Sequence, residues 1–77
     1  MITFEEARVL AYLQRRPAAP ASDVFRSSLP ATPPSWWARL IANLEWLGYV
    51  TAYYDAAGDP VALHLTEKGR RYRVGVS

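Results

Sequence analysis

The hydrophobic period of this 77-residue chain changes at Gly48, and that change sharply limits what it can fold into. Before Gly48, apolar residues recur every three to four positions, the spacing of one face of a helix. After it they alternate, the spacing of one face of a strand. Prolines divide the helical half. Pro17 disfavours the helical conformation at Arg16, and Leu29-Pro30-Ala31-Thr32-Pro33-Pro34 interrupts the pattern a second time. In the other half, Tyr49-Val50-Thr51-Ala52-Tyr53-Tyr54 and Val61-Ala62-Leu63-His64-Leu65 flank the turn-rich stretch Asp55-Ala56-Ala57-Gly58-Asp59-Pro60, the pattern of a hairpin. With a last helix after Thr66, the predicted order is α-α-α-β-β-α. This is a mainly α, single-domain architecture over residues 1–77, with a three-helix core and one small β-hairpin.

Local signals set the boundaries. Thr3 and Glu6 fit a capping box, so the first helix is predicted over about residues 4–16. Phe4, Ala7, Leu10, Ala11 and Leu13 gather on one side of it, and Glu5, Arg8, Tyr12, Arg15 and Arg16 on the other. Pro17 to Ala21 reads as a stiff connector. The second helix spans about 21–28 with Val24 and Phe25 inward, capped by either Ser22 or Asp23. Thr32 followed by Pro33 is a start signal for the third helix, about 33–47. Trp37, Leu40, Ile41, Leu44 and Leu47 form its apolar stripe. Ser35, Ala38, Arg39, Ala42 and Trp46 form the opposite face, with Trp36 and Asn43 at its edge. Gly48 suits the left-handed residue that ends a helix. The strands are predicted at about 49–54 and 61–65. The last helix, about 67–73, presents Lys68, Arg70 and Arg71 and turns Tyr72 inward.

Composition removes most chemistries. A chain of this size has a thin core, with about 3–5 kcal/mol of net stability. There is no cysteine, and His64 is the only histidine, so neither a thiolate cage nor an ordinary zinc site is expected. The serines have no Gly-x-Ser-x-Gly setting, and the glycines at 48, 58, 69 and 75 are too scattered to cradle phosphate. No run approaches the ~20 apolar residues of a membrane span, and the N-terminus lacks the flanks of a secretion signal. The expectation is a soluble cytoplasmic domain that is not an enzyme, with no cofactor, metal or catalytic residue and no membrane partner. Nine basic residues against seven acidic ones give a net charge of +2, and eight of the nine are arginine. That is a mild pointer to phosphate and base edges.

Two motifs narrow the reading. Leu44-Glu45-Trp46-Leu47-Gly48-Tyr49-Val50 resembles the Leu-Glu-x-x-Gly-Leu-Val signature that closes the recognition helix of winged helix-turn-helix regulators of bacteria and phage. Leu65-Thr66-Glu67-Lys68-Gly69-Arg70-Arg71-Tyr72 resembles the Leu-Thr-x-x-Gly-Arg segment after their wing, and Val9-Leu10-x-x-Leu13 is similar to their first helix. The resemblance implies a transcriptional regulator that sets its third helix in the major groove of double-stranded DNA, with the hairpin as a wing. The reading face it implies is Ser35, Trp36, Ala38, Arg39, Ala42 and Asn43. Arg39 is then placed on guanine or a phosphate, Asn43 on adenine and Ser35 on a phosphate. Arg26, Arg15 or Arg16, and Arg70 with Arg71 are implied as backbone contacts. A homodimer formed through helix 1, the C-terminal segment or an aromatic patch would supply paired half-sites.

A second reading stands beside it. The wing tip carries Asp55 and Asp59 and no basic residue, helix 3 is rich in tryptophan, and its link to helix 2 is longer than a tight helix-turn-helix requires. The acidic wing and the tryptophans of helix 3 fit a winged helix that binds a protein partner, such as a host or phage factor, through an aromatic surface around Trp36 and Trp46, while the long link is a departure from the tight motif. Trp46 is open between packing on the hairpin and facing a partner.

Overall fold

The computed structural model describes residues 2–73; Gly75 and the rest of the C-terminal segment named above lie outside them. The elements are α1 (Phe4–Arg15), β1 (Ala18–Pro20), α2 (Ala21–Ser28), α3 (Trp37–Trp46), β2 (Val50–Tyr54), β3 (Pro60–Leu65) and α4 (Glu67–Arg71). A single 3-10 turn, Pro34–Trp36, leads into α3.

The capping box forms as expected. The Thr3 N–H donates to Glu6 Oε1 at 2.8 Å and the Glu6 N–H to Thr3 Oγ1 at 3.1 Å. The inward face of α1 is Glu6, Val9, Leu10 and Leu13, rotated from the predicted one. Phe4 is 72% exposed, with the Arg8 guanidinium 5.7 Å from its ring centroid. With Glu6 on the inward face, its carboxylate also reaches a second partner, described below. Residues of α1, α2, α3 and the sheet then close one core, in which Phe25, Leu10, Leu13, Ile41, Leu44 and Leu63 are the largest fully buried side chains.

The sheet holds three strands in the order β1-β3-β2, one more than the hairpin predicted. The segment read as a stiff connector pairs antiparallel with β3, Ala18 opposite His64 and Ala19 opposite Leu63. Pro20 is tolerated there because β1 is an edge strand and needs no outward N–H. Between β2 and β3, Val50 faces Leu65 and Ala52 faces Leu63, with a register shift after Tyr53. Tyr53 and Tyr54, on either side of the shift, are both exposed.

Two predicted caps are replaced. α2 has the bounds expected, but neither Ser22 nor Asp23 caps it: the N-cap is Pro20, with no side-chain cap. Thr32 does not cap the third helix. Its carbonyl accepts the Trp37 indole N–H at 3.3 Å, and the chain enters α3 through the 3-10 turn behind Pro33. The Trp36 N–H donates to the Pro33 carbonyl at 3.0 Å, an i to i+3 bond, and the prolines cost this turn nothing because N–H groups at a helix start have no partner in the helix. Thr66 caps α4 as expected, accepting the Gly69 N–H at 3.1 Å. That helix stops at Arg71, and Tyr72 packs edge-on against Tyr49 with ring centroids 5.0 Å apart.

Candidate nucleic-acid interface

Four contacts set how α3 is presented. On its inner side Trp37 stacks on Phe25, centroids 4.7 Å apart and planes within 6°. Such stacking adds about 0.5–1.5 kcal/mol to the burial of the rings and fixes rotation about the helix axis. On its flank Asn43 Nδ2 donates to Glu6 Oε2 at 2.6 Å, tying α3 to the first turn of α1. At its C-terminal end, Lys68 Nζ donates to the Leu47 carbonyl at 2.7 Å and Thr66 Oγ1 to the Gly48 carbonyl at 2.5 Å. Both satisfy acceptors that a helix end leaves open. Gly48 takes φ +83, a conformation only glycine adopts freely, and starts the turn into β2.

What this scaffold leaves outward is an open face. Ser35, Trp36, Ala38, Arg39, Ala42 and Trp46 are all exposed. Trp46 does not pack on the hairpin: it is 85% exposed. The Arg39 guanidinium lies 5.4 Å from the Trp36 ring centroid, a cation–π contact. Among the described residues the salt bridges are Arg26–Asp23 at 3.9 Å and Arg71–Glu67 at 3.2 Å, and Arg39 is in neither.

The other sequence-predicted residues are spread around the molecule. Trp36, Arg39 and Asn43 share a groove of about 620 Å³ between α3, the loop before it and the first turn of α1, where Glu5 and Glu6 also stand. Ser35 is in the 3-10 turn. Arg26 is exposed on α2, Arg15 and Arg16 are exposed at the end of α1, and Arg70 and Arg71 are exposed on α4. Sequence reasoning missed Glu6 as a partner of α3, and Lys68 as the cation on its C-terminal carbonyls. The capping motif announced one Glu6 oxygen, but nothing local announces the other.

The wing tip is acidic for a structural reason. Asp55 Oδ1 accepts the N–H groups of Ala57 at 3.0 Å and Asp59 at 2.9 Å, so its carboxylate builds the turn. At the base of the wing the Tyr54 hydroxyl donates to Glu45 Oε1 at 2.5 Å. Loss of hydration, then this hydrogen bond and the Glu45 charge, push the Tyr54 phenol up to about 12. A raised phenol keeps its proton in the folded state while the unfolded chain loses it, so this contribution to stability falls as pH rises from about 10 to 12. Tyr54 remains 44% exposed, so the effect on stability is small. Alkaline spectrophotometric titration is expected to show one late tyrosine that Tyr54→Phe removes; a titration unaltered by that substitution would place the late group elsewhere.

Among the described residues no group of three or more His, Asp and Glu side chains is placed to hold a metal, and no helix is long and apolar enough to cross a membrane.

No protein-family model matches the sequence, and no curated protein matches it. Solved structures do. The chain is similar to the YusO protein from Bacillus subtilis, with TM-score 0.70, 20% identity, and coverage of 88% of this chain and 48% of that one. It is similar to a MepR-like protein complexed with pseudoligands, with TM-score 0.72, 24% identity, and coverage of 90% and 48%. It is also similar to MepR, a transcription regulator of the Staphylococcus aureus multidrug efflux pump MepA, with TM-score 0.68, 28% identity, and coverage of 91% and 51%. The fold is therefore a winged helix-turn-helix, a helical core with a three-stranded antiparallel sheet whose β2–β3 hairpin is the wing. The chain spans about half the length of these solved proteins.

Proposed function

We propose that this chain is the DNA-binding domain of a non-catalytic transcription regulator, and that it docks α3 in the major groove of duplex DNA. The observation that carries the reading is the open solvent face of α3, with an exposed Arg39 in its first turn beside Trp36, on a scaffold shared with MepR. An α-helix fits the major groove, and an arginine fork can bond both acceptors of guanine at once. Ser35 at the start of the helix, Arg26, Arg15 or Arg16, and the pair Arg70 and Arg71 are assigned to phosphates, which position the domain without reading sequence. Asn43 gives its amide to Glu6, so its part is to hold α3 rather than to read adenine. A footprint this short acts through paired half-sites, and a second copy of the chain is the simplest source of the second one.

Fluorescence anisotropy with a duplex selected from a random pool tests this. Binding should fall steeply as salt rises, because released counterions drive association. Arg39→Ala should cost about 1–3 kcal/mol and relax the preference at one base pair. Replacing Arg70 and Arg71 with Ala should instead lower the salt slope by about two while leaving the preference intact.

The exposed Trp46 and the acidic wing tip favour a second reading, a winged helix that binds a protein partner through its aromatic surface. Absence of duplex binding even at low salt is the outcome that selects it.

A further inference from the structure

The outward face of α3 is short of hydrogen-bonding groups. Between Trp36 and Trp46 its exposed side chains are Ala38, Arg39 and Ala42, so a single guanidinium stands among methyl groups. Ala38 and Ala42 are four residues apart and share one side of the helix, about 6 Å from each other along its axis. That separation is close to two base steps at 3.4 Å each. An alanine has nothing to offer an acceptor or a donor on a base edge. The feature of the major groove that it can recognise is the C5 methyl of thymine. Its short side chain also allows the helix backbone to come close enough to make the contact.

The charges around this face point the same way. Glu45, the other charged residue of α3, is half-buried and engaged with the Tyr54 hydroxyl. Glu5 and Glu6 line the same groove as Arg39, and their negative charge disfavours a phosphate there without repelling a neutral base edge. Arg39 lies by the Trp36 ring on the same exposed side of the chain as the alanines, and Trp46 extends the apolar strip by one more turn.

We infer that the sequence read by α3 pairs a guanine, on Arg39, with thymines whose 5-methyl groups pack on Ala38 and Ala42. This rests on the DNA-docking reading above and specifies which bases it takes. A duplex selected from a random pool by the full chain is the probe, resynthesised with deoxyuridine in place of thymidine, which removes the methyl group alone. Affinity should fall about fourfold per contacted methyl, and roughly fifteenfold for two. Ala42→Ser should reduce the uracil penalty at one position and leave the guanine preference unchanged; Ala42 is exposed, so the fold tolerates it. Equal affinity for the thymine and uracil duplexes, or a selected site with no thymine beside the guanine, overturns the inference while leaving DNA binding intact. Failure to bind any duplex at low salt overturns the DNA reading itself, and this inference with it.

Discussion

Gly69→Ala is expected to unfold the domain under conditions in which the unaltered chain is folded. Gly69 is buried in α4, where it lies directly over the chain that leaves α3. A Cβ at that position would fall inside the contact distance of the Tyr49 carbonyl oxygen and 2.6 Å from Leu65 Cδ1. The carbonyl cannot withdraw, since it accepts the Thr66 N–H at 3.0 Å, and the Tyr49 N–H is itself bonded to the Leu44 carbonyl at 2.9 Å. Relief must come from α4 lifting away. That would break the Thr66 cap, the Lys68 contact to the end of α3 and the two bonds that Gln14 makes to the Gly69 and Tyr72 carbonyls. Overpacking alone costs about 1–3 kcal/mol, and each lost hydrogen bond adds about 1 kcal/mol. The sum reaches the ~3–5 kcal/mol that a domain of this size holds in all. Urea denaturation followed by tryptophan fluorescence measures it. Gly58→Ala is the control: its φ is +86 but nothing lies within 4 Å of the added carbon, so only the backbone penalty of about 1–2 kcal/mol is expected. Equal midpoints for the two variants would show that the close approach at Gly69 can relax freely.

The features legible in the sequence are those decided within a few residues. Thr3 with Glu6 and Thr66 with Gly69 are contacts three positions apart, and both formed. Gly48 announced the turn between α3 and β2, and the periodicity of α3 separated two adjacent tryptophans correctly: Trp37 packs on Phe25 while Trp36 remains half in water. Illegible features depend on partners far along the chain. Pro17-Ala18-Ala19-Pro20 has no strand propensity of its own and becomes β1 because β3 offers an unpaired edge, with the Pro17 carbonyl closing the ladder on the Leu65 N–H at 2.7 Å. Phe4 matches the apolar period of α1 but sits at its solvent end, where the inward residue is Glu6 instead. In the candidate site the sequence placed Arg39 and the alanines on an exposed face. It gave no sign that Asn43, at the edge of the same face, is engaged with a residue 37 positions away.

That pair carries the second large effect. Glu6→Ala is expected to cost about 2–4 kcal/mol, most of the stability available. Glu6 is 2% exposed, and its carboxylate meets neutral donors, the Thr3 N–H on one oxygen and the Asn43 amide on the other. It is tolerated there because it lies in the first turn of α1, where the helix dipole favours negative charge. Removing it deletes half of a capping box, about 0.5–2 kcal/mol, and leaves the half-buried Asn43 amide without its partner, a further 1–3 kcal/mol. Asn43→Ala should cost less, since the carboxylate keeps its bond to Thr3. The double variant should cost less than the sum of the single ones, with a coupling energy of about 0.5–3 kcal/mol if the two side chains act as one unit. Simple additivity would show that the bond contributes nothing. The same variants separate scaffold from reader. Should Asn43 hold α3 in place, Asn43→Ala lowers the denaturation midpoint and weakens all duplexes alike, because the angle at which Arg39 meets the groove is loosened for every sequence. An unchanged midpoint with relaxed preference at a single adenine would instead make Asn43 a base contact, and the presentation of α3 would then rest on the Trp37–Phe25 stack and the α4 clamp alone.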